Sequence, residues 1–187
     1  MEIRAILKDL DVELLSPADI GLELEVEEDG QAYAENATKK ARAFSLASGL
    51  ISLADDSGLE VDALGGKPGL HSNRFGPSLG DGRTDASRRA YLLSKLAGEP
   101  RPWAARFRAT VALASPGRSV QLVEGICPGQ IIPEERGSGG FGYDPIFLLD
   151  GMNKTMAELD MEEKNRLSHR GQAVRGAIPI LIDLLGI

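Results

Sequence analysis

The stretch 137-GSGGFGYDPIF-147 carries the spacing G-x-G-x-x-G at Gly137, Gly139 and Gly142. Its reading decides whether the chain is a dinucleotide-binding Rossmann fold or another arrangement of strands and helices. A Rossmann fingerprint needs a strand leading into the glycines, a helix starting on them and an acidic residue further on. Neither flank fits: Pro133-Glu134-Glu135-Arg136 precedes the run, and Pro145 followed by Ile146-Phe147-Leu148-Leu149 reads as a strand after it. An oxidoreductase reading would rest on the spacing alone. The glycines instead form either a tight turn around a core aromatic or a loop whose backbone approaches a ligand, with Phe141 or Tyr143 as a stacking face.

Outward from this loop, helical and strand patterns alternate without an internal repeat. Apolar residues at Ile3, Ile6, Leu7 and Leu10 mark a short helix face, and Ser16-Pro17-Ala18-Asp19 reads as a capped turn. From Gly30 to Ser48 the spacing of Ala34, Ala37, Ala41, Phe44 and Ser48 predicts a helix of small residues, stopping at Gly49 and suited to close packing on a sheet. Leu50 to Ala54 reads as a buried strand. Asp56-Ser57-Gly58 reads as a turn, and Leu59 to Leu64 as a second alternating segment. Thr84 to Leu96 returns to helical spacing. Alternation of Ala105, Phe107, Ala109, Val111 and Leu113 with Arg106, Arg108 and Thr110 predicts a half-buried strand. It turns at Pro116-Gly117 into a partner through Val120, Leu122 and Glu124. Thr155 to Glu158 and Asp160 to Glu163 are capping boxes, and a last helix from Ser168 contains Pro179, expected to kink or shift it. The class is mixed α/β.

The 187 residues, 42% of them hydrophobic, suit a single domain with a sizeable core or two lobes sharing one sheet. The lone cysteine, Cys127, excludes an intramolecular disulfide and reads as a small buried apolar residue suited to a reducing cytoplasm. No stretch has the apolar length of a membrane span, and Met1 to Arg4 lacks a signal pattern. A net charge of −7 argues against nucleic acid as the main partner. A phosphorylated small molecule stays possible where a metal ion or a local basic cluster offsets the repulsion.

The chemistry-bearing candidates are polar clusters. Asp55-Asp56-Ser57-Gly58 ends an apolar strand with two carboxylates that point to opposite faces, so they cannot share one job. One can hold a metal or orient water while the other anchors the turn, although such acids also cap turns through their own backbone. Glu27 and Glu28, ahead of the long helix, offer further oxygens for a hard cation such as Mg²⁺, or form a solvated acidic loop. Glu163-Lys164-Asn165 and Ser168-His169-Arg170-Gly171 place a lysine, one of two histidines and an arginine near a helix start, a favourable place for anions.

In order along the chain, several segments resemble the inosine triphosphate pyrophosphatase family, the HAM1-like hydrolases of non-canonical purine nucleoside triphosphates. They are Tyr33 to Ala37, Ala54 to Gly69, Ser72-Asn73-Arg74-Phe75, Gly139 to Phe147, Thr155 to Leu159, Glu162 to Asn165 and Ser168 to Gly171. The resemblance covers nearly the whole chain. It implies an elongated mixed β-sheet with flanking helices forming two lobes around a central cleft, within one domain over residues 1–187. It further implies a cytoplasmic homodimer that uses Mg²⁺ to hydrolyse ITP, dITP and XTP to monophosphate and pyrophosphate.

Carried over by motif, Asp56 is the proton acceptor and a metal ligand, with Glu27 or Glu28 as the second acid. Ser57, Phe141, Gly142, Tyr143, Asp144, Lys164, His169 and Arg170 are substrate contacts. Carboxylates suit Mg²⁺ and water activation, while Lys164 and Arg170 suit phosphate or base oxygens. Backbone hydrogen bonds could select a 6-keto over a 6-amino purine edge. Family members also open with a strand and a loop of the form [ST]-x-N-x-x-K. Nothing like it precedes Glu2 to Leu7, so the resemblance implies a start assigned too far downstream or a truncated form. Loss of that loop would weaken folding and phosphate binding; the alternative expectation is a nucleotide-binding dimer with impaired catalysis.

Overall fold

A computed structural model describes residues 2–76 and 84–187. The mixed α/β class holds. Strands β1 (Ser52–Val61), β2 (Trp103–Ala114), β3 (Gln121–Ile131) and β4 (Phe147–Leu149) form a four-stranded antiparallel sheet in sequence order, with Gly129 opposite Leu149 and Ile131 opposite Phe147. The helices are α1 (Glu2–Ile6), α2 (Tyr33–Ser48), α3 (Asp85–Leu96), α4 (Met161–Leu167) and α5 (His169–Leu185). The chain divides into two compact units, and β1, β2 and β3 each pass from one into the other. Residues 1–56, 109–125 and 169–187 form the first, and residues 57–108 and 126–168 the second.

In the first unit the distal half of β2 is buried on both faces. Side chains alternate across a strand, so Ala109, Val111 and Leu113 pack with Ala173, Val174, Ala177 and Leu181 of α5. Ala112 and Ala114 pack with Ala37 and Ala41 of α2. The expected half-buried strand is therefore half-buried only up to Arg108, because a helix covers each face beyond it. The small residues expected along α2 do make the close contact, on a face rotated to Tyr33, Asn36, Ala37, Ala41 and Ser45. α5 lies still closer to β3, since a Cβ on Gly125 would stand 2.0 Å from the His169 carbonyl oxygen. Pro179 sits inside α5, which runs on to Leu185.

The second unit has its own core: Leu59 and Val61 of β1, Leu92 and Leu96 of α3, Trp103 and Phe107 of β2, Cys127 and Ile131 of β3, and Ile146, Phe147 and Met156. The Phe107 and Phe147 ring centroids lie 4.5 Å apart. Here β2 alternates as its sequence suggests. The outward Arg106 and Arg108 donate to the Glu60 carboxylate on neighbouring β1 at 2.6 and 3.2 Å. Burial pushes the Cys127 thiol up to about 12, with Asp150 and Asp144 adding to the effect, as suits an inert core cysteine.

One local expectation fails. The turn at Asp56-Ser57-Gly58 does not exist: β1 runs unbroken from Ser52 to Val61, and Gly58 is buried within it. Ladder pairing with β2 outweighs the turn tendency of a short polar sequence, and a glycine inside a strand marks close packing instead.

Candidate active site

An unbroken β1 fixes what the two acids do, because neighbours on a strand face opposite ways. Asp55 accepts a hydrogen bond from Arg170 Nε at 2.8 Å, and Arg170 Nη1 donates to Glu2 Oε2 at 3.1 Å. Burial opposes the Arg170 charge, but the Asp55 and Glu2 carboxylates outweigh it and push the pKa up, so the guanidinium stays cationic. Asp56, on the other face, meets α2. Asn36 Nδ2 donates to its Oδ2 at 2.9 Å, and the Lys40 ammonium lies 3.9 Å from its Oδ1. One helical turn separates Asn36 from Lys40, which puts both on the same α2 face.

The same Lys40 ammonium donates to Glu28 Oε1 at 2.7 Å. Asp56 and Glu28 thus both flank the Lys40 ammonium, and carboxylate oxygens of this kind could serve a hard divalent cation. Glu27 and Glu28 are both exposed, and of the two it is Glu28 that bonds Lys40. Among the described residues no three histidine, cysteine or acidic side chains gather as a metal cage. The segment before α2 is held independently: the Gly30 N–H donates to Asn36 Oδ1 at 2.8 Å, and Lys39 pairs with Asp29. Asn36 therefore links the acidic loop to the carboxylate of Asp56.

In the second unit the glycine loop closes around a buried ion pair. Lys164 Nζ donates to Asp144 Oδ2 at 2.6 Å, and the same oxygen accepts the Phe141 N–H at 3.0 Å. Lys164 is brought there by α4, which Asp160 and Glu163 start as a capping box. The glycines have steric reasons unconnected with a dinucleotide. Gly140, at φ 75°, would place a Cβ 2.0 Å from Asp144 Oδ2, and Gly137, at φ 80°, would place one 2.5 Å from the Ala157 backbone. No helix starts on the run, which leads into a short 3-10 turn and β4.

The two aromatics of this loop part company. Phe141 is 57% exposed, with Lys164 Nζ 4.9 Å from its ring centroid. Tyr143 is turned into the core, its hydroxyl donating to the Ser72 carbonyl at 2.9 Å and its phenol pushed well above the ordinary range by burial. Phe141 is therefore the available stacking face, and Tyr143 supports the loop from beneath. Ser57, half-buried, follows Asp56 in β1, while His169 is buried at the first position of α5. Ser168 ends α4, its N–H donating to the Lys164 carbonyl at 2.9 Å.

Sequence reading missed Asn36, Lys40, Glu2 and Asp55 as partners of the assigned residues. The spacing of Asn36 and Lys40 on the buried face of α2 was the available signal. Nothing local connects Glu2 to Arg170, which are 168 positions apart.

Residues 1–180 match the model of the Ham1 family. The chain is 46% identical over 181 residues to a dITP/XTP pyrophosphatase of Desulforamulus reducens, covering 96% of this chain and 89% of that protein. It is 47% identical over 186 residues to one of Geobacter sulfurreducens, covering 99% and 90%. Among solved structures, a HAM1 protein from Coxiella burnetii superposes with a TM-score of 0.87 at 37% identity, covering 97% of this chain and 92% of that one. The Staphylococcus aureus Ham1 protein gives 0.85 at 33% identity, covering 96% and 91%. Matches of this identity and coverage place this α/β chain in the class of hydrolases acting on phosphoric anhydride bonds. It is a member of the Ham1 family.

Proposed function

We propose that this chain hydrolyses the non-canonical purine nucleoside triphosphates dITP, ITP and XTP to monophosphate and pyrophosphate, clearing them from the nucleotide pool of the cytoplasm as a homodimer. It is a nucleoside triphosphate pyrophosphatase, a hydrolase acting on phosphoric anhydride bonds. The observation that carries the reading is the pairing of Asp56 and Glu28 about one cation position, beside relatives named dITP/XTP pyrophosphatases.

Asp56 is the proton acceptor for the attacking water. Asn36 fixes its carboxylate by bonding one oxygen, which leaves its orientation set by α2 rather than by solvent. Glu28 and Asp56 would hold Mg²⁺, which would supply charge neutralisation at the phosphates. Lys40, 2.7 Å from Glu28 and 3.9 Å from Asp56, places a positive charge beside both acids.

On the base side, Phe141 stacks on the purine, while Lys164, held by Asp144, presents a fixed donor to the 6-keto edge. An adenine amino group would meet a donor instead of an acceptor, leaving a buried polar group unpaired. Ser57, His169 and Arg170 complete the substrate contacts, with Arg170 oriented by Asp55 and Glu2.

The decisive experiment is pyrophosphate release from dITP, ITP and XTP, with ATP and GTP as controls, with Mg²⁺ and after EDTA. Selective, Mg²⁺-dependent release is expected. Equal cleavage of ATP would remove the base-selection scheme, and full activity in EDTA would remove the metal.

A further inference from the structure

Helix α3 carries none of the residues assigned above, yet two of its side chains hold the glycine loop by its backbone. Asp85, in the first turn, accepts the Gly142 N–H on Oδ2 at 2.5 Å. One turn later, Arg89 Nη1 donates to the Gly142 carbonyl oxygen at 2.9 Å. The i, i+4 spacing puts both groups on one face of α3, so the two backbone polar groups of a single residue are gripped from one helix. Gly142 adopts φ 61°, a conformation that other residues take only under strain.

The Arg89 guanidinium does a second thing. Its Nε and Nη2 donate in parallel to the two oxygens of Glu135 at 2.8 and 2.9 Å. Glu135 precedes the glycine run and Gly142 ends it, so one side chain fastens the entry and the exit of the loop. An exposed ion pair contributes little by itself. Here the Arg89 side chain is 12% exposed and that of Glu135 47%, and what sets the pair apart is the planar fork, which makes a bidentate pair plus a backbone bond. Asp85 is in turn paired with Arg88. Between the two fastened ends stands Phe141, its N–H held by Asp144 and its ring exposed. A stacking ring carried by a loop has a defined plane only if the backbone beneath it is fixed.

We propose that Asp85 and Arg89 are positioning residues that set the plane of the Phe141 ring and thereby the affinity for the purine base. The inference rests on the pyrophosphatase reading given above. α3 then contributes to substrate affinity through the loop backbone.

The test uses the full chain and the variants Asp85→Ala, Arg89→Met and Phe141→Ala, with the double variant Arg89→Met/Phe141→Ala. Arg89→Met is expected to raise KM for ITP about tenfold with kcat within about twofold of the parent, because it removes binding and not chemistry. In the Phe141→Ala background the same substitution adds no further rise, since the ring it orients is gone. Hydrogen exchange of residues 140–143 should quicken about tenfold or more in both Asp85→Ala and Arg89→Met, with β2 and α5 unchanged. Arg89→Lys keeps the charge but not the two parallel bonds, and gives the same readings should Arg89→Met not fold.

Additive KM effects in the double variant, a loss confined to kcat, or unchanged exchange at 140–143 would each overturn the proposal. If the parent chain releases no pyrophosphate from any purine triphosphate, the pyrophosphatase reading itself fails. The exchange comparison then still decides whether these two residues fix the loop.

Discussion

Asp144 and Asp56 each stand next to a lysine, and the two pairs differ in geometry. In the second unit Asp144 lies 2.6 Å from Lys164, with the two side chains 6% and 11% exposed, and it also accepts the Phe141 N–H. In the first unit Asp56 lies 3.9 Å from Lys40, with side chains 13% and 19% exposed. At the shorter distance a hydrogen-bonded ion pair forms. At the longer one the ammonium supplies a counter-charge without donating a hydrogen bond to that carboxylate oxygen. The same two residue types therefore make a closed, hydrogen-bonded ion pair in one place and a carboxylate beside a more distant counter-charge in the other.

The sharpest way to break this comparison is Asp56→Asn. Removing a general base should lower turnover by about 10²–10⁴ while the melting temperature stays with the parent, because the Asn36 bond can still form. Near-full pyrophosphate release by that variant would end the assignment of Asp56 as the base. The lysines should separate in the other direction. Lys164→Met leaves Asp144 buried without its cation and should destabilise the fold by about 3–5 kcal/mol in urea titration, whereas Lys40→Met should cost about 1 kcal/mol or less. Equal losses in the two variants would show that distance does not distinguish the pairs.

Smaller effects refine the picture. Gly140→Ala combines a φ of 75° with a Cβ 2.0 Å from Asp144 Oδ2, and should cost about 1–3 kcal/mol in thermal or urea unfolding. An unaltered stability would mean that the loop shifts freely around the pair. The smallest effect is the response to acid. The hydrogen bond from Arg89 holds the Glu135 carboxyl below its ordinary 4.5, reinforced by the guanidinium charge. A depressed folded-state pKa gives stability that is present above the ordinary value and lost as pH falls through the folded one. Hydrogen exchange of residues 135–142 should therefore be flat from neutral pH to about 5, after correction for intrinsic rates, and quicken below about 4. No change on acidification would mean that the pair does not hold the loop entry.

Much of this was legible in the sequence because it depends on local rules. The helix of small residues, the two capping boxes, the alternation of Phe107 with Arg106 and Arg108, and the buried cysteine all follow from periodicity and residue chemistry. Asp55-Asp56-Ser57-Gly58 misled because its composition favours a turn, while pairing with β2 keeps it extended. Even so, the prediction that the two acids face different ways survived, since a strand enforces it more strictly than a turn. Phe141 and Tyr143 were equal candidates for the stacking face. Burial separated them, and burial is a property of the assembled core.

Hydrophobic period, capping and ordered motifs are written along the chain, and they carry the α/β class, the family and the identity of the chemical groups. Which groups meet follows from packing alone: Arg170 with Asp55 and Glu2, Lys40 between Glu28 and Asp56, and α3 on the backbone of Gly142. Partners separated by up to 168 positions are brought together by packing and strand pairing, and no local rule encodes which of several like charges will be the neighbour.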